Sequence, residues 1–186
     1  AAAMECGINF FDHADIYGAG ASEEVFARAV AQLGWSREKM ILQSKCGICK
    51  GYFDFSRGHI LNSVDGILQR LGTDYLDILL LHRPDALMVP EEVAEAFDKL
   101  EQNGKVRHFG VSNQNRATME LLRSALHQPL VANQLQFSLA HTPMVDHALN
   151  VNMIDEPAVN RDGGVLDYCR LHGITVQPWS PMQFGF

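Results

Sequence analysis

Residues 76–82 run Leu76-Asp77-Ile78-Leu79-Leu80-Leu81-His82. A short, near-continuous apolar run of this kind fits a strand buried on both faces, as in a parallel sheet. Helical patterns flank it. On the N-terminal side, Ser56 to Leu71 places Ile60, Val64, Ile67, Leu68 and Leu71 at helical spacing and stops at Gly72. On the other side, Pro90 suits a first-turn position. Glu91 and Glu92 read as first-turn acids. Val93, Ala96, Phe97 and Leu100 follow, with a stop at Gly104.

The same alternation extends outward in both directions. Further β-rich runs are Ile8–Phe11, Met40–Ser44, His108–Val111, Leu130–Leu135 and Ile174–Gln177. Helical patterns lie at Ser22–Leu33, Arg116–Leu126 and Val165–His172. The first has a cap signal, Ser22 before Glu23 and Glu24. Six strands alternating with five helices predict a parallel α/β fold. A doubly wound dinucleotide fold wants G-x-G-x-x-G after its first strand, and Gly18-Ala19-Gly20 is too short a match. The stretch from Ser138 to Asp162 reads as a long polar insertion, and such loops are usually functional or mobile.

Each strand ends on a group with useful chemistry. These are Asp12, Lys45, His82, Ser112 with Asn113, Gln134, and Trp179 with Ser180. In a (β/α) barrel the C-terminal strand ends converge on the face that carries the active site.

Composition bounds the partners. The chain has 186 residues, near the soft prior of ~150 for one domain. Its net charge of −7 makes it a poor nucleic-acid binder. No run approaches the ~18 apolar residues of a spanning helix. The start, Ala1 to Gly7, has no signal-peptide pattern. Four cysteines make no disulfide framework. The expectation is a cytoplasmic chain with reduced thiols and neither nucleic-acid nor membrane partners. Cys46-Gly47-Ile48-Cys49 could be a redox pair. Zinc is disfavoured there, since no second C-x-x-C or paired histidine supplies four ligands, and no metal site is expected. His13-Ala14-Asp15 reads as part of a turn that presents Tyr17. Tyr52, Phe53 and Phe55 either line an apolar pocket or pack locally.

Two stretches carry a family resemblance. Gly7-Ile8-Asn9-Phe10-Phe11-Asp12-His13-Ala14-Asp15-Ile16-Tyr17-Gly18 resembles the opening signature of the aldo-keto reductases. Gly104-Lys105-Val106-Arg107-His108-Phe109-Gly110-Val111-Ser112-Asn113 resembles a second. Within that family the chain resembles the bacterial general reductases related to potassium-channel β subunits. That resemblance implies a (β/α)8 TIM barrel, with about six of eight βα units, strands two to seven, in this chain. Residues 1–186 would be a single barrel domain, incomplete at both ends.

The resemblance also implies an activity: hydride transfer from NADPH to an aldehyde or ketone carbonyl of a small molecule. The family's catalytic tetrad maps onto Asp12, Tyr17, Lys45 and His82. Tyr17 would be the proton donor. A free tyrosine titrates near ~10, and a neighbouring ammonium favours its phenolate, the role given to Lys45. Asp12 would hold Lys45, and His82 would orient the carbonyl. Ser112, Asn113 and Gln134 would bind the nicotinamide carboxamide, and Trp179 would stack on the ring. Ser180 and Met182 stand where the family's pyrophosphate loop begins. NADP rather than NAD is a family expectation, because the 2′-phosphate site lies beyond Phe186. Alternatives are a cofactor-binding partner subunit, an inactive fragment, or a phosphate-binding barrel lyase or isomerase. The last wants a glycine-rich loop, which Pro181–Gly185 is not. Oligomeric state is not legible.

Overall fold

The computed structural model describes residues 1–183. The end of the 181–185 stretch, weighed above for a phosphate loop, lies outside them. In chain order, helix α1 (Ala2–Glu5) precedes strand β1 (Phe10–Asp12). A 3-10 turn (Tyr17–Gly20) leads into α2 (Ala21–Leu33). Strand β2 (Ile41–Cys46) is followed by a hairpin of β3 (Ile48–Cys49) and β4 (Tyr52–Phe53). Then come α3 (Arg57–Leu71), β5 (Leu76–Leu81), α4 (Pro90–Gln102) and β6 (Val106–Ser112). The series continues with α5 (Arg116–Arg123), β7 (Leu130–Gln136), α6 (Pro143–Leu149), α7 (Val165–Leu171) and β8 (Thr175–Trp179).

Local chemistry sets most boundaries. The Ser56 hydroxyl accepts the His59 N–H at the start of α3, a side-chain cap for an orphan donor. Asn115 does the same for Thr118 at the start of α5. Pro90 occupies the first turn of α4. One expectation is corrected: Ser22 does not cap α2. The cap position is Gly20, in the left-handed region at φ 93°, which lets the Tyr17 turn run directly into the helix. Helix α5 ends at Arg123, three residues short of the expected Leu126. The Ser138–Asp162 insertion is no featureless polar loop. It contains α6 and a 3-10 turn (Glu156–Ala158), with Leu139, Leu149 and Ile154 exposed.

Six strands form one parallel sheet in the order β1-β2-β5-β6-β7-β8. The sheet curls. Three strands separate β2 from β8, yet the side chains of Gln43 and Gln177 exchange hydrogen bonds of 2.9 and 3.0 Å across the hollow. Along β2, Leu42 and Cys46 join the apolar layer under the helices, and Ser44 bonds Glu23 of α2. Gln43 and Lys45 alternate with them and point inward, the two-residue period of a strand. The main core lies between sheet and helices, where Phe97 of α4 stacks on Phe109 of β6 at 4.0 Å between centroids. Gly110 sits at the register shift of β6 with β7; a Cβ there would lie 2.7 Å from the Ala132 carbonyl oxygen. No helix among the described residues is long and apolar enough to cross a membrane.

Candidate active site

Parallel pairing brings all six C-terminal strand ends to one rim. Asp12 ends β1, and its backbone pairs with Gln43. Lys45 therefore lies just beyond it on the neighbouring strand. The ladder continues past the strands: His13 N–H donates to the Gln43 carbonyl and Asp15 N–H to that of Lys45. The next strand adds His82, whose N–H donates to the Cys46 carbonyl.

Lys45 is fully buried. A buried charge is costly unless paired and hydrogen-bonded. Its Nζ meets three oxygens: Asp12 Oδ2 at 2.7 Å, the His13 carbonyl at 2.7 Å and Tyr17 Oη at 3.3 Å. An ammonium has three protons, so all are used. Asp12 is held in turn, because its Oδ1 accepts from Gln43 Nε2 at 2.6 Å.

Tyr17 opens the 3-10 turn, and its N–H donates to the Ala14 carbonyl. The His13–Asp15 stretch thus is the turn that presents it. Tyr17 is 39% exposed, so a solute can reach it. The His82 ring stands edge-on to it, 5.9 Å between centroids and 80° between planes. Burial lowers the His82 pKa to about 4, helped by the Lys45 and Arg83 charges and opposed by Asp12. At neutral pH the imidazole is therefore uncharged, with one donor and one acceptor. Its Nδ1 is buried without a hydrogen-bond partner.

A second polar layer supports the turn from behind. Glu23, a first-turn acid by sequence, is fully buried. It accepts from Ser44 Oγ and Arg70 Nε, both at 2.7 Å, tying α2 to β2 and α3. Burial and the Glu23 charge raise Asp15 to about 6. Burial lowers the His13 pKa. The sequence signal for this layer was an acid and an arginine on helix faces otherwise read as core or solvent.

The amides form a second cluster across the rim. Ser112 Oγ donates to the Gln134 carbonyl at 3.1 Å, and Asn113 Nδ2 donates to Ser112 Oγ at 2.8 Å. The Trp179 indole N–H donates to Asn113 Oδ1 at 2.9 Å. Asn113 has a φ of 57°, a left-handed conformation that asparagine tolerates better than most residues. Gln134 Nε2 reaches Gln177 Oε1 at 3.4 Å. Through Gln177 and Gln43 a chain of hydrogen bonds runs from this cluster to Asp12. An open cleft of ≈ 580 Å³ is lined by Asp12, Gln134, Gln177, Trp179 and Ser180. Ser180 directly follows β8; Met182 lies two residues on and is largely exposed.

The C-x-x-C cysteines part company. Cys46 is fully buried, and burial pushes its thiol far above the ordinary range. Cys49 is half-buried on the hairpin, near Asp54 and His59. All four cysteines are free. Phe55 packs locally beneath Gly47, while Tyr52 and Phe53 are exposed.

Known proteins resemble the chain throughout its length. The aldo/keto reductase family model matches residues 1–186. An uncharacterized oxidoreductase of Bacillus subtilis, YcsN, is 41% identical over 98% of this chain and 59% of its own length. A putative voltage-gated potassium channel subunit β of Schizosaccharomyces pombe is 31% identical over 98% of this chain and 51% of its own. Among solved structures, an aldo-keto reductase from Klebsiella pneumoniae in complex with NADPH aligns with a TM-score of 0.77 at 27% identity. That alignment covers 97% of this chain and 55% of the solved one. The chain thus spans roughly half to three-fifths of the length of these relatives. Its six-stranded curled sheet is a partial (β/α)8 barrel. With the family model matched from end to end, the chain belongs to the aldo/keto reductase family.

Proposed function

We propose that this chain carries the catalytic rim of an oxidoreductase that reduces the carbonyl of a small aldehyde or ketone at the expense of NADPH. The observation that carries the reading is the Lys45 ammonium, sealed from water and shared among Asp12, the His13 carbonyl and the Tyr17 hydroxyl.

The donor set of the second cluster fits a nicotinamide. Ser112, Asn113 and Gln134 present hydroxyl and amide groups, donors and acceptors together, as a carboxamide requires. They would hold that group, and Trp179, tethered to Asn113, would offer its flat face to the ring. Ser180 and Met182 would begin the pyrophosphate contacts. When bound, the cofactor supplies the hydride. NADP rather than NAD is supported by the family and by the NADPH held in the Klebsiella structure.

The rest falls to the chain's own residues. As a substrate carbonyl oxygen gains negative charge, Tyr17 gives it a proton and becomes a phenolate. The Lys45 charge stabilises that phenolate at 3.3 Å. Asp12 holds Lys45 in place. Neutral His82 donates a hydrogen bond to the carbonyl oxygen and orients it. Water then reprotonates Tyr17 through the exposed side of its ring.

The test is to mix the full-length protein with NADPH and a panel of aldehydes and ketones while following nicotinamide fluorescence and absorbance. Binding with carbonyl-dependent oxidation is expected. Binding without oxidation would instead support a partner subunit of the same fold, and absence of binding would overturn the cofactor assignment.

A further inference from the structure

We infer that Cys49, Asp54 and His59 form a binding site for a divalent cation of the zinc class. Cys49 lies on β3, Asp54 follows β4, and His59 is in the first turn of α3. One sulfur, one carboxylate oxygen and one ring nitrogen lie within 4.8 Å of one another. Cys49 Sγ is 3.8 Å from His59 Nε2, and Asp54 Oδ2 is 4.0 Å from His59 Nδ1. The sulfur faces the Nε2 edge of the ring and the carboxylate the Nδ1 edge, so one of the two ring nitrogens would serve as the ligand. In a tetrahedral zinc site, metal bonds to sulfur and nitrogen separate the two ligand atoms by about 3.6 Å. The sulfur and Nε2 therefore need to close by only a few tenths of an ångström, while the carboxylate has to swing further to share the same ion.

The chain holds these groups ready. Asp54 Oδ1 accepts the Ser56 N–H at 2.8 Å, which leaves Oδ2 free toward the histidine. The Asp54 N–H donates to the Gly47 carbonyl and closes the base of the hairpin. The Ser56 hydroxyl accepts the His59 N–H at the helix cap. Ser63 Oγ, 3.3 Å from His59 Nε2, would give up that contact when Nε2 takes the ion.

The ligand chemistry selects the ion class. Calcium and magnesium take oxygen ligands, whereas thiolate and imidazole favour zinc. A thiolate and a carboxylate supply two negative charges against a dication, and binding releases the thiol proton. Three protein ligands leave the fourth position to water. The ion would fasten the hairpin, which starts three residues after Lys45, to α3. Cys46 takes no part, being buried under the helices at the end of β2. The inference stands independently of the reductase reading.

The experiment is a Co²⁺ titration of the full-length protein, reduced and freed of metal by a chelator. One equivalent should produce thiolate-to-cobalt charge-transfer absorption, which added Zn²⁺ abolishes. Cys49→Ser and His59→Gln should each lose the band or weaken binding at least about 100-fold, since even supporting residues around a metal cost 10- to 100-fold. Cys6→Ser, which changes an exposed thiol elsewhere, should keep it. Absence of the band, its survival in Cys49→Ser, or its loss in Cys6→Ser would overturn the site.

Discussion

The Tyr17 hydroxyl lies 3.3 Å from the Lys45 ammonium, although 28 positions separate them in sequence. Strand pairing makes the contact: β1 stacks against β2 with Asp12 opposite Gln43, and the turn after β1 folds Tyr17 back over the strand end.

Lys45→Met should cost both stability and activity. Removing one member of a buried ion pair destabilises, because its partner is left as an uncompensated charge. Asp12, left behind, has a third of its side chain in solvent and keeps its bond to Gln43. Tm should therefore fall, by less than for a fully buried partner, while kcat of the full-length protein falls at least ~10²-fold. Thermal melts and steady-state rates check both halves. A wild-type kcat would remove the lysine from the proton transfer.

His82 should titrate far below an ordinary histidine. Its ring-proton chemical shift, followed by NMR, should move with a midpoint at about 4. The unfolded value is ~6.5, so between these limits the unfolded chain binds the extra proton. The stability contributed by His82 is thus complete above pH 6.5 and lost as pH falls toward 4. His82→Gln, with no proton to take up, should gain stability relative to wild type across that window. A midpoint near 6.5 would contradict the burial argument.

Gly47→Ala should destabilise strongly. The residue has φ 103°, and a Cβ would stand 2.1 Å from Phe55 Cε1, a fully buried ring. The combined strain and clash should cost at least ~2 kcal/mol. Urea unfolding measures it. A loss under ~0.5 kcal/mol, the size of an ordinary surface change, would mean the hairpin base is not fixed as described.

How legible this was depends on what each feature rests upon. Leu76–Leu81 forms a strand over the very residues whose apolar run predicts it, because both faces of a parallel sheet are buried. The strand-end residues were visible for the same reason, as polar interruptions at fixed places. The hairpin at 48–53 was not. Its strands are two residues long, and the Gly47–Phe55 contact beneath it is tertiary. Glu23 looked like a first-turn acid because its partners, Ser44 and Arg70, lie 21 and 47 positions away. Ser22 was a plausible cap until Gly20 took a conformation open mainly to glycine. Cys49, Asp54 and His59, five positions apart at each step, match no standard ligand spacing, and only the hairpin and the first turn of α3 bring them together.

The two C-x-x-C thiols should differ in reactivity. Cys46 is fully buried and its thiol is held protonated, so it should resist iodoacetamide in the folded protein. Half-buried Cys49 should react under the same conditions. Mass spectrometry of the alkylated peptides distinguishes them. Equal labelling of both would show that β2 opens at its end more readily than its packing implies.

The central claim is that Tyr17 is the proton donor on the rim that Lys45 organises. The most direct measurement is stopped-flow oxidation of NADPH by a carbonyl substrate in full-length Tyr17→Phe. The variant keeps the ring beside His82 and removes only the hydroxyl that meets Lys45. NADPH should still bind, and the rate of the chemical step should fall at least ~10²-fold, the size of a lost general acid. An unchanged rate, with NADPH bound as in the wild type, would contradict the account.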